Sequence, residues 1–251
     1  MPSSPDNKIW YASSMRPYPG NDPCFFDTEK NSWAIDIEKH WGEYKGEVAD
    51  FITEKDNKFN STSSLYGNIE TNKGWKVLSF LFWGMKISRE FEKKCPKMAG
   101  ALKQIPGIVS ISFSRLEPGS LIAEHNGDTN AVIRSHFGIE VPGTLPQCGF
   151  RVNGTEKNWE EGKWLLYNDA CRHSAWNHTD KRRIILILDV IRPEFLHKKN
   201  IICAFIITRH ISYMYHRIKI IAKMPVFVKT LLFAFFLGMV YIFKPVYNLF
   251  K

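Results

Sequence analysis

Apolar residues recur every three or four positions from Trp33 to Phe51. Trp33, Ile37, Trp41, Tyr44, Val48 and Phe51 fall on one face of a helix, with Asn31 or Ser32 placed to cap its first turn. A polar stretch at 55–73 reads as loop. Residues 75–87 are apolar on both faces, so periodicity alone does not choose between a buried strand and a buried helix. Pro96 suits the first turn of a short helix with Met98, Leu102 and Ile105 inward, ended by Pro106-Gly107. These patterns predict a mainly helical region at 23–104, preceded by a polar, turn-rich flexible tail at 1–22. That tail lacks the apolar run of a signal peptide.

From Ile108 the period changes from helical to alternating. Residues 108–115 alternate, Glu117-Pro118-Gly119-Ser120 spells a type II turn, and 121–125 returns as a second strand. Residues 131–141 form a third, with Arg134, His136 and Gly138 on one face. Segments 148–152 and 155–159 flank Asn153-Gly154, a strong short hairpin signal. Segments 164–167 and 183–190 complete the set, closed by Arg192-Pro193-Glu194. Many short antiparallel strands joined by tight turns predict a sandwich or jelly roll, here a core at 105–196.

Charge separates the remainder. The formal net charge is +9, and the segment from His197 onward is rich in Lys, Arg and His and poor in acids. Such a distribution points to an anionic surface, and no zinc-finger spacing, RNP-type segment or base-reading basic helix supports nucleic acid as partner. Within this tail, 197–251, the stretch 201–208 is too short to span a bilayer. The stretch 225–243 is apolar apart from Lys229 and close to spanning length. Arg209, Arg217, Lys219 and Lys223 precede it, so the positive-inside rule predicts a membrane-associated protein with its β domain on the cytoplasmic side. On this reading the tail recruits the chain to the membrane and takes no part in chemistry. Five scattered cysteines without a CxxC pair fit reduced thiols.

Candidate chemistry sits on the β region. His125 and His173, far apart in sequence, lie at strand ends, and imidazole suits iron, zinc, copper and nickel alike, so the pair alone does not name a metal. An iron site of two histidines and one carboxylate would place an acid two positions after His125, where this chain has Gly127, with Asp128 one step further on. Arg183 heads an otherwise apolar strand, where an unpaired charge is costly and a bound dicarboxylate would compensate it. Arg182 points to the opposite face and reads as a solvent-facing strand-end arginine.

The blocks Leu116-Glu117-Pro118-Gly119, His125-Asn126-Gly127-Asp128-Thr129-Asn130, Arg134-Ser135-His136-Phe137-Gly138-Ile139, Trp159-Glu160-Glu161-Gly162 and His173-Ser174-Ala175-Trp176-Asn177, with Ser114 before them and 183–193 after, resemble the aspartyl/asparaginyl β-hydroxylase family in order and spacing. The resemblance covers about 105–194. It implies a mainly β fold, a double-stranded β-helix (jelly roll) using Fe(II), 2-oxoglutarate and O2, to which the chain's own patterns add N-terminal helices and a hydrophobic C-terminal tail helix. It assigns His125 and His173 as metal ligands. Arg183, with His136 beside it, would bind the distal carboxylate of 2-oxoglutarate, and Ser114 and Arg134 its metal-proximal end. Gly127 matches the peptide-hydroxylating members, whereas lipid A hydroxylases carry an acid there; Asp128 departs from both patterns. The resemblance therefore implies hydroxylation of Asp or Asn side chains in a peptide or protein. The alternatives are acyl-chain hydroxylation of a lipid at the membrane, which the basic tail favours, and a non-catalytic jelly-roll binding module.

Overall fold

The structure is a computed structural model that describes residues 8–12, 18–20, 22–61, 74–216 and 218–250. After the short strand β1 (Phe25–Phe26) the predicted first helix forms, but in two pieces, α1 (Ser32–Lys39) and α2 (Trp41–Glu54), broken at His40. The break lets Trp41 meet Phe137 of the sheet edge to face, ring centroids 5.0 Å apart, while Ala34, Ile37, Tyr44, Val48 and Phe51 stay buried on the predicted face. Asn31 holds the N-cap position, yet its side chain donates to the Asp27 carbonyl and caps nothing. The polar loop contains a two-residue strand, β2 (Asn60–Ser61), and its part at 62–73 lies outside the described residues.

Residues 75–87 resolve as strand: β3 (Trp75–Phe82) turns through Trp83 and Gly84 into β4 (Met85–Lys86). Their two apolar faces have two neighbours. Val77 packs into the interior between the sheets, and Leu78 packs beneath the helices. A strand covered on both sides is apolar on both sides, which is why periodicity could not identify it. Because β3 pairs with the first core strand, the sheet extends N-terminal to the boundary at 105, and the region 23–104 is not purely helical. Helices α3 (Glu90–Lys94) and α4 (Pro96–Lys103), the latter starting at Pro96 as predicted, complete the helical layer.

From Ile108 the chain winds alternately through two antiparallel sheets. β5 (Ile108–Leu116), β7 (Val132–Glu140), β10 (Trp164–Asn168) and β12 (Arg183–Ile191) go to one; β6 (Ser120–His125), β8 (Cys148–Val152), β9 (Thr155–Lys157) and β11 (His173–Asn177) go to the other. The larger sheet runs β1-β10-β7-β12-β5-β3-β2, with β4 beside β3, and the smaller runs β6-β11-β8-β9. This alternation is the double-stranded β-helix. The β8–β9 hairpin turns at Asn153 (φ 46°) and Gly154 (φ 83°), the two left-handed residues that a tight two-residue loop demands.

The C-terminal segment departs from expectation. Helix α5 (Lys199–His216) is part of the folded body: Ile202, Cys203 and Ile206 are fully buried, packed with Trp83 of the β3–β4 turn and with Val109, Val132 and Ile191 of the larger sheet, and Ala204 is buried too. After the single turn α6 (Lys219–Ala222), helix α7 (Val226–Leu249) runs back along α5 and leaves a broad apolar face exposed. The N-terminal tail is also corrected where it is described. The Trp10 amide donates to Asn130, Thr129 donates to the Trp10 carbonyl and the Ala12 amide to the Asp128 carbonyl, so residues 8–12 form a strap across 128–130.

Candidate active site

β6 and β11 are hydrogen-bonded neighbours whose register places His125 directly opposite His173 at the open end of the smaller sheet. Their rings lie 4.1 Å apart, centroid to centroid. In each ring Nδ1 stands 2.9 Å from a backbone carbonyl two residues back, Ala123 for His125 and Cys171 for His173. A carbonyl only accepts, so Nδ1 carries the proton and Nε2 keeps its lone pair in both. Burial lowers His125 to about 4 and His173 well below the usual imidazole range, aided for His173 by its neighbour His125. Two neutral imidazoles with free Nε2 atoms are the form that ligates a metal.

A third group closes on this pair from the turn before β11. Asp169 is fully buried, its Oδ2 accepts the Asp128 amide at 2.9 Å, and its Oδ1 lies 4.0 Å from His173 Nε2. Oδ1 is 2.5 Å from Arg134 Nη1 in a close ion pair, although it accepts no regular hydrogen bond. Burial raises Asp169 to about 7, against the pull of Arg134. Among the described residues no three His, Cys, Asp or Glu side chains form a metal cluster. Two Nε2 lone pairs, with the Asp169 carboxylate 4.0 Å from one of them, nevertheless fit a divalent first-row metal with open positions. Asp128 pairs instead with α5, Arg209 at 2.9 Å and His210 at 3.3 Å.

Across the interior, Arg183 is 1% exposed. Its guanidinium lies 4.5 Å over the Trp159 ring and donates to the Ser114 carbonyl, but among the described residues its Nε has no hydrogen-bond partner and no carboxylate pairs with it. Burial lowers it to about 10. A buried cation without an anion is expensive, and a bound carboxylate is the economical remedy. His136 lies between this arginine and the histidine pair. It accepts from Trp159 Nε1 at 3.3 Å through Nδ1, so its Nε2 carries the proton toward Tyr167 Oη at 3.3 Å, and Tyr167 in turn packs edge-on to His173. Burial and the nearby Arg183 hold His136 well below the usual imidazole range.

The sequence-predicted residues thus gather inside one barrel. Arg134 and His136 do share a face. Arg134, however, is already engaged, bidentate to Asp189 at 2.6 and 2.9 Å besides Asp169, which leaves little of its guanidinium for a co-substrate. Ser114 contributes its carbonyl to Arg183, and its hydroxyl accepts from Trp75 Nε1 at 3.0 Å. Arg182 faces outward as expected, paired with Glu140 and Asp56. Sequence reasoning missed Asp169, Asp189 and Trp159 as parts of the site. An acid four residues before His173 was the available signal for the first. All five cysteines are free thiols, with Cys24 and Cys171 facing each other sulfur to sulfur at 2.8 Å.

Comparison with known proteins bears on this site. The family profile described as aspartyl/asparaginyl beta-hydroxylase matches residues 38–193. An ornithine lipid ester-linked acyl 2-hydroxylase from Rhizobium tropici is 36% identical over 176 residues, covering 69% of this chain and 62% of that protein. The human aspartyl/asparaginyl beta-hydroxylase is 31% identical over 135 residues (51% and 17%), and a mouse aspartate beta-hydroxylase domain-containing protein 2 is 30% identical over 155 (54% and 44%). The chain spans less than two thirds of the length of each of these relatives.

Proposed function

Because the chain belongs to the aspartyl/asparaginyl beta-hydroxylase family, we propose that it is an Fe(II)- and 2-oxoglutarate-dependent dioxygenase that hydroxylates a C–H bond. The observation that carries this reading is Arg183, a buried guanidinium with no carboxylate partner among the described residues, in the same interior as two histidines with Nε2 lone pairs. His125 and His173 would hold the iron, with the Asp169 carboxylate, itself paired with Arg134, 4.0 Å from His173 Nε2. Bound there, iron supplies the coupling of O2 reduction to oxidative decarboxylation of 2-oxoglutarate, giving succinate, CO2 and a hydroxylated product.

The chain's own residues bind and orient. Arg183 fixes the far carboxylate of 2-oxoglutarate by charge-assisted bonds, and Trp159 stacks on the guanidinium to keep it planar to its ligand. Protonated at Nε2 and electrically neutral, His136 sets the Tyr167 hydroxyl without adding a second positive charge beside Arg183. Arg134 positions Asp169 rather than the co-substrate. Trp75, Phe150, Trp159 and Tyr167 line an interior that excludes water from the reacting centre.

For the substrate, the acyl chain of a membrane lipid is the better-supported reading. A lipid acyl hydroxylase is the relative with the higher identity and wider coverage among those compared, and α7 presents an exposed apolar face. The protein is then membrane-associated, with its catalytic body on the cytoplasmic side. Peptide Asp or Asn hydroxylation is the second reading, favoured by Gly127. Anaerobic titration of the protein with Fe(II) and 2-oxoglutarate tests the dioxygenase assignment. A visible metal-to-ligand charge-transfer band that saturates with both supports it, and metal binding without that band sinks it. Mass spectrometry of lipid and peptide fractions from cells with and without the protein then separates the substrates, a hydroxylated acyl chain supporting the first reading and a hydroxylated peptide the second.

A further inference from the structure

We propose that α7 lies in the plane of a membrane, seated in one leaflet of an anionic bilayer, and does not cross it. The inference rests on the membrane association proposed above and adds its geometry. Length and composition alone would allow crossing: 24 residues at 1.5 Å each reach about 36 Å, against a hydrocarbon core of about 30 Å. The contacts do not.

One side of α7 is fastened to the folded body along most of its length. Phe233 packs edge-on against Phe205 of α5, ring centroids 5.3 Å apart, and Val240 joins the cluster around Trp83. Lys244 is buried beside the β3–β4 turn. In the last turn, Asn248 donates to the Gly84 carbonyl at 2.7 Å and accepts from the Lys86 amide at 3.0 Å. From Phe233 to Asn248 the helix advances roughly 22 Å, so only about 10 Å at its N-terminal end is free of the body. A crossing helix would have to break these contacts or carry the polar β3–β4 turn and the Lys244 ammonium into hydrocarbon.

The few polar side chains of α7 face the body. Lys229, Lys244 and Asn248 fall on the fastened side, whereas Phe227, Leu231, Phe235, Ile242, Val246 and Leu249 form the opposite, exposed stripe. Charge identifies the occupant. From His197 to the end the chain has nine Lys and Arg and no Asp or Glu, which accounts for the entire formal charge of +9. A cationic, apolar-faced segment suits a leaflet containing acidic phospholipids. The seat is continuous with the site: α5, against which α7 packs, holds Asp128 in the loop that leaves His125.

The test uses the full chain bearing one introduced cysteine at a time, Phe227→Cys, Phe235→Cys, Ile242→Cys or Leu249→Cys, labelled with the fluorophore NBD; the unsubstituted chain gives the labelling background. Vesicles of phosphatidylcholine and phosphatidylglycerol carry nitroxide quenchers either near the headgroups or at the acyl-chain ends. In-plane seating gives flotation with the vesicles and the same ratio of shallow to deep quenching at all four positions. Flotation with a graded ratio, deepest at the middle positions and shallow at both ends, means the helix crosses; that overturns this inference while membrane association stands. Absence of flotation removes membrane association itself, and this inference with it.

Discussion

The Asp169 carboxylate occupies the space that a side chain at Gly127 would need: a Cβ built there would lie 1.9 Å from Asp169 Cγ. Position 127 is where an iron site of two histidines and one carboxylate would place its acid. Here glycine leaves that room to a carboxylate delivered from the turn before β11 instead. Gly127 therefore reports how the site is built and speaks only weakly to the substrate.

Gly127→Ala should accordingly displace Asp169 and disturb the ion pair with Arg134. Overpacking of this kind costs about 1–3 kcal/mol, and loss of a group that orients metal ligands weakens metal binding roughly 10–100-fold. Denaturant unfolding and Fe(II) titration measure the two effects. Wild-type iron affinity in this variant would mean that Asp169 is irrelevant to the metal position.

Arg183→Ala should raise the 2-oxoglutarate requirement on the order of a hundredfold, the equivalent of about 3 kcal/mol from a buried charge-assisted pair, with iron affinity unchanged. Arg182→Ala is the control. Its partners Glu140 and Asp56 are partly exposed, so its loss should cost at most about 1 kcal/mol of stability and leave the co-substrate untouched. Similar 2-oxoglutarate dependence in the two variants would show that neither guanidinium binds it.

Much of this was legible in the sequence, for physical reasons. Strand alternation, the Pro118-Gly119 and Asn153-Gly154 turns and the unpaired Arg183 are local signals, and each appears where its chemistry requires. What stayed hidden depends on partners distant in sequence. Arg134 is saturated by Asp169 and Asp189, residues 35 and 55 positions away, which turned an expected co-substrate contact into a positioning pair. Residues 75–87 were ambiguous because both their faces are covered. The apolar character of α5 was read as part of a membrane tail, when most of it serves the core.

That last correction has a direct consequence. A tail at 197–251 that only recruited the chain to a membrane would be removable without loss of the folded body. The fully buried Ile202 and Ile206 and the nearly buried Ile207 each contribute about 1.5–3 kcal/mol, comparable together to a domain's typical net stability of 5–15 kcal/mol. Truncation after Glu194 should therefore give aggregated or unfolded protein. Truncation after Met224, which spares α5, should keep a cooperative thermal transition and lose vesicle binding. A folded, stable chain ending at Glu194 would show that α5 is dispensable.

The link between α5 and the site loop also predicts an acid-labile increment of stability. Burial alone would raise the Asp128 carboxyl, but the hydrogen bond and charge of His210, with Arg209 and Arg134 nearby, bring it down to about 2. Its unfolded value is near 3.8. A carboxylate depressed in the folded state stabilises fully above its unfolded pKa, and that contribution vanishes as pH falls through the folded value. The shift amounts to roughly 2 kcal/mol, present at pH values above about 4 and gone below about 2. Asp128→Asn should thus be less stable than the unsubstituted chain by about that amount at pH 5, and the two unfolding free energies should converge as the pH approaches 2. Comparing the variants removes the contributions of the other carboxylates, which both chains share. A gap that stays constant from pH 5 to pH 2 would assign the loss to packing at position 128, and no gap at pH 5 would mean that the α5 contact adds nothing to the fold.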